Sequence, residues 1–360
     1  MTRRCAAVVQ SAQRGLIEWY HPVGIGDNER LEAWCTTLGP VVIDSLPSAD
    51  FGALRLADTL AVAVWNVNAG AGDVMAFLNE ELGVLCDGRE SRLEGGAKHF
   101  VFLVQEALRR SNDIPDVPAS WATPLPATEA ARPGERLDVV EVASACGLAL
   151  FYVPAQRNGP DARDGLREDK GNAILATLPL SDFVALELPY EAARRVVPVA
   201  TVRNSAGDSL RLASVYLITT PPPWRIFMTA NTARLRQVLA LAHALRQVEQ
   251  VRAGAPIPVE GCEPTCDRKT TPPHHISTIV AGDLNTWSNR ETALRQLRVD
   301  FPHSPPSLRE PTRPPFTTDH LLFRRRDSGG AQILEATYRR VDNRYYSDHH
   351  PILAWFTFER

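Results

Sequence analysis

Two kinds of segment alternate along the chain. Short, nearly continuous apolar runs read as buried strands over residues 60–65, 100–104, 148–153, 173–178, 196–202, 210–217, 276–281, 321–323 and 352–358. Between them lie segments with apolar residues at helical spacing. Val74 to Leu85 is apolar at 74, 77, 78, 82 and 85, and two more helices are expected over 139–145, stopping at Gly147, and over 234–251. A short helix is expected within 32–40, ended by Gly39-Pro40. Three stretches rich in Pro, Gly or charge, 111–137, 155–170 and 252–275, read as loops inserted on a scaffold, because strand pattern resumes after each. The pattern predicts a poorly periodic leader over 1–57 and one α/β domain over 58–360.

Composition narrows the options. With 360 residues, 44% hydrophobic and 22% charged, wholesale disorder is excluded. A net charge of −3 excludes an obligate polyanion binder of the histone type but leaves a local basic patch open. Only three of the 39 basic residues are lysine: Lys98, Lys170 and Lys269. The arginine excess, beside 28 prolines, reads as compositional bias, not as phosphate recognition. No run approaches the ~18 apolar residues of a membrane span. Ala6 to Val9 is too short for a signal-peptide core, so the expected location is the cytoplasm. The six cysteines are scattered and do not imply disulfides. Cys262 and Cys266, followed by His274-His275, make a loose zinc pattern, and the plainer reading is an exposed loop with two free thiols.

Candidate chemistry sits where apolar strands end in polar residues, the places where a sheet exposes side chains to a ligand. Trp65-Asn66-Val67-Asn68 is one such end, and Gln105-Glu106 another. Gly282-Asp283-Leu284-Asn285 follows the strand at 276–281. Thr318-Asp319-His320 precedes a late strand, and Ser347-Asp348-His349-His350-Pro351 precedes the last one. Taken singly, each is an ordinary turn, sheet-end residue or surface pair. Together they offer hard oxygen donors with little sulfur, which suits Mg²⁺ or Mn²⁺ better than Zn²⁺. An Asp and a His nearby can handle protons and stabilise a developing oxyanion.

These five motifs, in this order, resemble the endonuclease/exonuclease/phosphatase superfamily of metal phosphoesterases, over residues 58–360. The resemblance implies a four-layer α/β/β/α sandwich with two packed mixed sheets. It implies metal binding by Glu106, Asn66 and Asp348, and substrate binding by Asn68, at a position where some members have Asp. Asp283 would orient or deprotonate water, Asn285 would hold phosphate, and His349, paired with Asp319, would be the catalytic histidine. The middle strand carries Tyr216 where many members have His. Tyr is what abasic-site endonucleases place there, and its hydroxyl can still donate to phosphate. Phe151 to Asn158 and Lys170 to Leu175 resemble segments bordering the site, with Asn172 able to bind phosphate or order its strand.

The expectation is a Mg²⁺- or Mn²⁺-dependent phosphodiester hydrolase, with nucleic acid as the first-choice substrate. The alternatives are a phosphatase or phosphodiesterase of a small phosphorylated molecule or lipid headgroup, and a catalytically silent binding module. No obligate protein partner is evident. Arg324-Arg325-Arg326 and Arg339-Arg340 are expected to be solvated edge-strand charge more than a phosphate groove, and Trp65 and Trp287 to be core packing more than base-stacking rings.

Overall fold

The computed structural model describes residues 17–20, 37–47, 59–86, 99–115, 136–158, 167–191, 193–203, 209–219, 231–252, 276–305, 310–327 and 332–359. The expected helix within 32–40 falls largely outside these residues, and the loop with Cys262, Cys266, His274 and His275 entirely so.

In chain order the strands are β1 (Glu18–Tyr20), β2 (Val42–Asp44), β3 (Thr59–Asn66), β4 (His99–Ser111), β5 (Ala149–Arg157), β6 (Arg167–Ala176), β7 (Leu180–Glu187), β8 (Val196–Arg203), β9 (Ser209–Tyr216), β10 (Ser277–Asp283), β11 (Asp319–Arg324), β12 (Gln332–Arg340) and β13 (Ile352–Glu359). The helices are α1 (Val74–Leu82), α2 (Val139–Ala145), α3 (Asn231–Arg252) and α4 (Thr292–Asp300). One sheet has the order β1-β7-β8-β9-β10-β11 and the other β12-β13-β3-β4-β6-β5-β2. Both are mixed: β3–β4 and β9–β10 are parallel, while most other neighbours are antiparallel.

Period-two alternation decides which residues fill which layer. On β3, Leu60, Val62 and Val64 face the space between the sheets, where Leu103, Ile174, Ala200, Leu212, Ile279 and Leu321 meet them. The intervening Ala61, Ala63 and Trp65 pack outward, against α1 and α2. On the other sheet Val215 and Val280 pack outward against α3 and α4. The result is the expected α/β/β/α sandwich.

Several elements differ from the sequence expectation. Helix α1 ends at Leu82, not Leu85, because Gly83 adopts a left-handed φ of 65° and its N–H bonds back to the last turn. The stretches expected as loops at 155–170 and 111–137 are partly strand: β5 runs to Arg157, β6 starts at Arg167, and β4 reaches Ser111. Strands β7 and β12 and helix α4 were not expected. Both strands carry a register shift that breaks strict alternation. From the first 57 residues, β1 joins the edge of one sheet beside β7 and β2 the edge of the other beside β5. Cys86 and Cys146 form a disulfide between the segments that follow α1 and α2. Arg324 is buried, pairing with Glu249 at 2.7 Å, so it is not solvated edge charge.

Candidate active site

The site forms where the inter-sheet faces run out. Asp283 is the register partner of both Tyr216 on β9 and Asp319 on β11, so these three residues lie in one row across the first sheet. Asn66 and Gln105 are register partners on the second sheet and form the facing row. The same alternation that buries Leu212, Ile279, Ala281 and Leu321 between the sheets turns Tyr216, Asp283 and Asp319 toward the facing row.

Gly282 makes the approach of β10 possible. Its φ is 148°, and a Cβ there would stand 1.9 Å from the Val215 carbonyl oxygen. Two asparagines continue the turns beyond the strands with φ of 50°, Asn68 after β3 and Asn285 after β10, a conformation asparagine tolerates better than most residues.

His349 is held from several sides. Its Nδ1 lies 2.8 Å from Asp319 Oδ2, and its Nε2 lies 3.7 Å from Asp283 Oδ2 and 3.9 Å from Asp348 Oδ1. Its backbone N–H donates to Ser347 Oγ at 3.1 Å, and its carbonyl accepts from Trp65 Nε1 at 3.0 Å. Ser347 Oγ in turn donates to the Asn66 carbonyl at 2.7 Å, which ties the last loop to the end of β3. Asp319 Oδ2 also accepts from Thr318 Oγ1 at 3.0 Å, and its backbone N–H donates to Thr312 Oγ1 at 3.1 Å. Asp283 accepts from Asn66 Nδ2 at 3.0 Å and from the Asn285 N–H at 2.9 Å. Asn285 Nδ2 donates to the Leu217 carbonyl at 3.0 Å.

The electrostatics separate the protonation states of these groups. Burial alone would discharge His349, but the carboxylates of Asp319 and Asp283 raise its pKa to about 9. Burial pushes Asp283 up to about 6 against the pull of the His349 charge. Asp319 goes the other way: burial would raise it, yet the charge and hydrogen bond of His349 hold it below its usual range. At neutral pH an ionised Asp283 therefore stands beside a protonated His349.

Glu106 reaches the site from β4. It has a φ of 52° and lies in the register shift between Val104 and Ala107. Its Oε2 accepts from Lys170 Nζ at 2.8 Å and its Oε1 from the Tyr216 hydroxyl at 2.5 Å. Burial opposes its charge, but Lys170, then Tyr216 and Arg195, bring its pKa down to about 2. Burial and the Glu106 charge push the Tyr216 phenol well above its usual range. The Arg195 guanidinium lies 4.1 Å from the centre of the Tyr216 ring.

Of the residues singled out from sequence, the structure brings Asn66, Asp283, Asn285, Asp319 and His349 together in one bonded network, with Glu106 and Tyr216 as a second bonded pair beside it. Asp348 stands at the rim, 39% exposed, with Arg313 2.7 Å away. Asn68 contributes its N–H to Asn66 Oδ1. Asn172 is buried, its Nδ2 bonded to the Val196 carbonyl of the opposite sheet at 2.8 Å. Trp65 is core, stacked on Phe102, with Phe77 tilted against it and Tyr345 edge-on. Trp287 is not core: it is 37% exposed and stacks on Phe316 at 4.9 Å. Lys170, Arg195, Ser347 and Thr312 were missed as site residues. Lys170 carried a weak signal, being one of only three lysines and sharing the strand parity of Asn172.

A divalent ion of the Mg²⁺ type needs charged, hard oxygen donors. Glu106 meets that need. It is ionised and already carries a cation, the Lys170 ammonium. Asp283, Asp319 and His349 are a second group that could hold a metal, with ligand atoms all within 4.8 Å of one another. Asp319 Oδ1 there is buried without a hydrogen-bond partner. The protonated state of His349 opposes a metal at that position, since a ligating imidazole must be neutral. The Glu106 side is the better fit.

No family model and no curated protein matches the chain. Several solved structures are similar to it. An endonuclease/exonuclease/phosphatase from Beutenbergia cavernae is 14% identical, over 83% of this chain and 72% of that one, with a TM-score of 0.47. A mannosyl-6-phosphatase from Bacteroides thetaiotaomicron is 12% identical, over 82% and 98%, with a TM-score of 0.39. A Staphylococcus aureus beta-toxin mutant with bound magnesium ions is 9% identical, over 83% and 99%, with a TM-score of 0.37. The likeness to these proteins is one of overall fold.

Proposed function

We propose that this chain is a divalent-metal-dependent phosphoesterase of the endonuclease/exonuclease/phosphatase kind. The observation that carries this reading is the His349 side chain, buried between Asp319, 2.8 Å from its Nδ1, and Asp283, 3.7 Å from its Nε2, where the inter-sheet faces run out. A pair of neighbours with opposite charge states at one pH is what in-line hydrolysis needs. Ionised Asp283, fixed by Asn66 and Asn285, orients water and draws its proton. His349, fixed by Asp319, Ser347 and Trp65, donates to the phosphoryl group as negative charge builds. A donor of this kind is worth about 10²–10³ in rate. Glu106, with Asn66 and Asp348, would hold the ion, and a bound Mg²⁺ or Mn²⁺ supplies Lewis-acid polarisation of a phosphoryl oxygen.

Nucleic acid is the first substrate we propose. The Trp287–Phe316 stack, exposed two residues beyond Asn285, supports it as a platform on which a base can lie. A small phosphorylated molecule or lipid headgroup is the second reading, favoured by a different observation. Arg324 pairs with Glu249, Arg339 with Glu81, and Arg340 with Glu310 and Asp342, so the charge of these three arginines is already taken up by carboxylates. The Cys86–Cys146 bridge favours an oxidising compartment over the cytoplasm expected from the N-terminal sequence. Among the described residues no helix is long and apolar enough to cross a membrane.

The test is hydrolysis of bis-(p-nitrophenyl) phosphate, p-nitrophenyl phosphate, plasmid DNA and an abasic-site duplex, each with Mg²⁺, Mn²⁺ or EDTA, beside His349→Ala. Metal-dependent cleavage of DNA or the diester, lost in the variant, supports a diesterase. A steep loss of DNA affinity with salt separates the nuclease from the small-molecule enzyme. Turnover of the monoester alone moves the reading to a phosphatase. Silence on all four substrates leaves an unusual substrate or a catalytically silent binding module.

A further inference from the structure

The carboxylate proposed to hold the metal already has a cation. Lys170 Nζ stands 2.8 Å from Glu106 Oε2, and both side chains are 13% exposed, so the pair is largely withdrawn from water. The two residues arrive there by different local features. Lys170 shares its strand parity with Asn172, Ile174 and Ala176, and the last two lie in the inter-sheet core. Glu106 is turned to the same side by its positive φ and the register shift in β4. The contact is therefore built by the sheets themselves, not by a surface side chain reaching in.

The residue type fits the position. This chain uses arginine for nearly all its positive charge, and has only three lysines. Arginine presents a planar fork, whereas lysine presents a compact, strongly hydrated point charge, the side chain nearest in character to a metal ion. Arg195 is close by but stands over the Tyr216 ring, 4.1 Å from its centre, and the ion pair with Glu106 is made by Lys170. Tyr216 holds the other carboxylate oxygen, which leaves Oε2 as the face where a cation sits.

We propose that Lys170 is a built-in competitor for the divalent ion at Glu106. This rests on the metal-phosphoesterase reading. Two positive charges on one carboxylate oxygen repel strongly in a partly desolvated pocket. The ion therefore loads only when the ammonium leaves, and the carboxylate is never left uncompensated. Metal affinity is set by the difference between the two cations, not by the oxygen donors alone.

Calorimetric titration of the full chain with MnCl₂ tests this, using wild type, Lys170→Met, Glu106→Gln and the double variant. Lys170→Met is expected to bind Mn²⁺ about 10-fold more tightly than wild type, with the gain lost in the double variant. Equal or weaker binding in Lys170→Met overturns the proposal, as does a gain that survives Glu106→Gln. Should Lys170→Met fail to fold by circular dichroism, Lys170→Gln takes its place with the same expectations. Ester hydrolysis by wild type is scored separately. Turnover with unchanged metal affinity in the lysine variant overturns the competition alone. Tighter metal binding without turnover of any ester supports the competition and overturns the phosphoesterase reading.

Discussion

Nδ1 of His349 lies 2.8 Å from Oδ2 of Asp319, with both side chains almost fully withdrawn from solvent. In that setting the carboxylate sets the charge of the ring. Asp319→Asn keeps the shape and removes the charge, so the His349 proton loses its strongest support. We expect kcat to fall by about 10²–10⁴. The alkaline limb of the pH–rate profile should move down toward the ordinary histidine range, roughly 6.5. A limb that stays where it is in wild type would rule out Asp319 as the partner.

The wild-type profile should itself be bell-shaped. Activity rises as Asp283 ionises near pH 6 and falls as His349 deprotonates near pH 9. Stability carries the second of these signatures. The folded pKa of His349 is raised above the unfolded value of roughly 6.5. Its contribution is thus complete below that value and is lost as pH rises through about 9. Urea midpoints of wild type and His349→Gln across this window check it: the wild type should lose its advantage over the variant as pH rises.

We propose that Ser347 positions His349. Its hydroxyl bonds the Asn66 carbonyl at 2.7 Å and accepts the His349 N–H at 3.1 Å. Ser347→Ala should cost about 1–2 kcal/mol of stability through the unpaired carbonyl. It should also lower kcat by about 10-fold with KM little changed, because the backbone that carries the imidazole loses an anchor. Restoration of kcat by Ser347→Thr would separate positioning from simple loss of stability, and a variant with wild-type kcat would remove the role.

Gly282 is where a single methyl group should do the most damage. An alanine Cβ would stand 1.9 Å from the Val215 carbonyl oxygen, at a φ of 148° that alanine avoids. Neither β9 nor β10 can yield without breaking the ladder that carries Tyr216 and Asp283. Gly282→Ala should destabilise the fold by about 3 kcal/mol or more in urea titration. A loss near 0.5 kcal/mol, the ordinary scatter of a surface change, would mean that the strands are not this close.

The sequence by itself determined an α/β pattern and the strand ends where the candidate residues sit, while the four layers were implied only by the family resemblance. Leu60 to Trp65 and Ile276 to Ala281 were legible because burial on both faces writes a local, continuous apolar run. Asn66, Asp283 and Asp319 were legible because each interrupts such a run at its end. Helix α4 was also within reach, since Ala293, Leu294 and Leu297 recur at helical spacing and are buried. Strand β12 was harder, being an edge strand with little to bury and a register shift that breaks its alternation.

What only the tertiary structure decided is which ends meet. By strict alternation Glu106, next to Gln105, belongs on the outer face of its sheet. The irregularity in β4 reverses that, and nothing in the local pattern marks it. Trp65 and His349 are 284 residues apart, yet one holds the carbonyl of the other. Lys170 and Glu106, 64 residues apart, neutralise each other. Strand pairing brings such residues together, and pairing is set by the summed packing of two sheets, a quantity that no window of sequence contains.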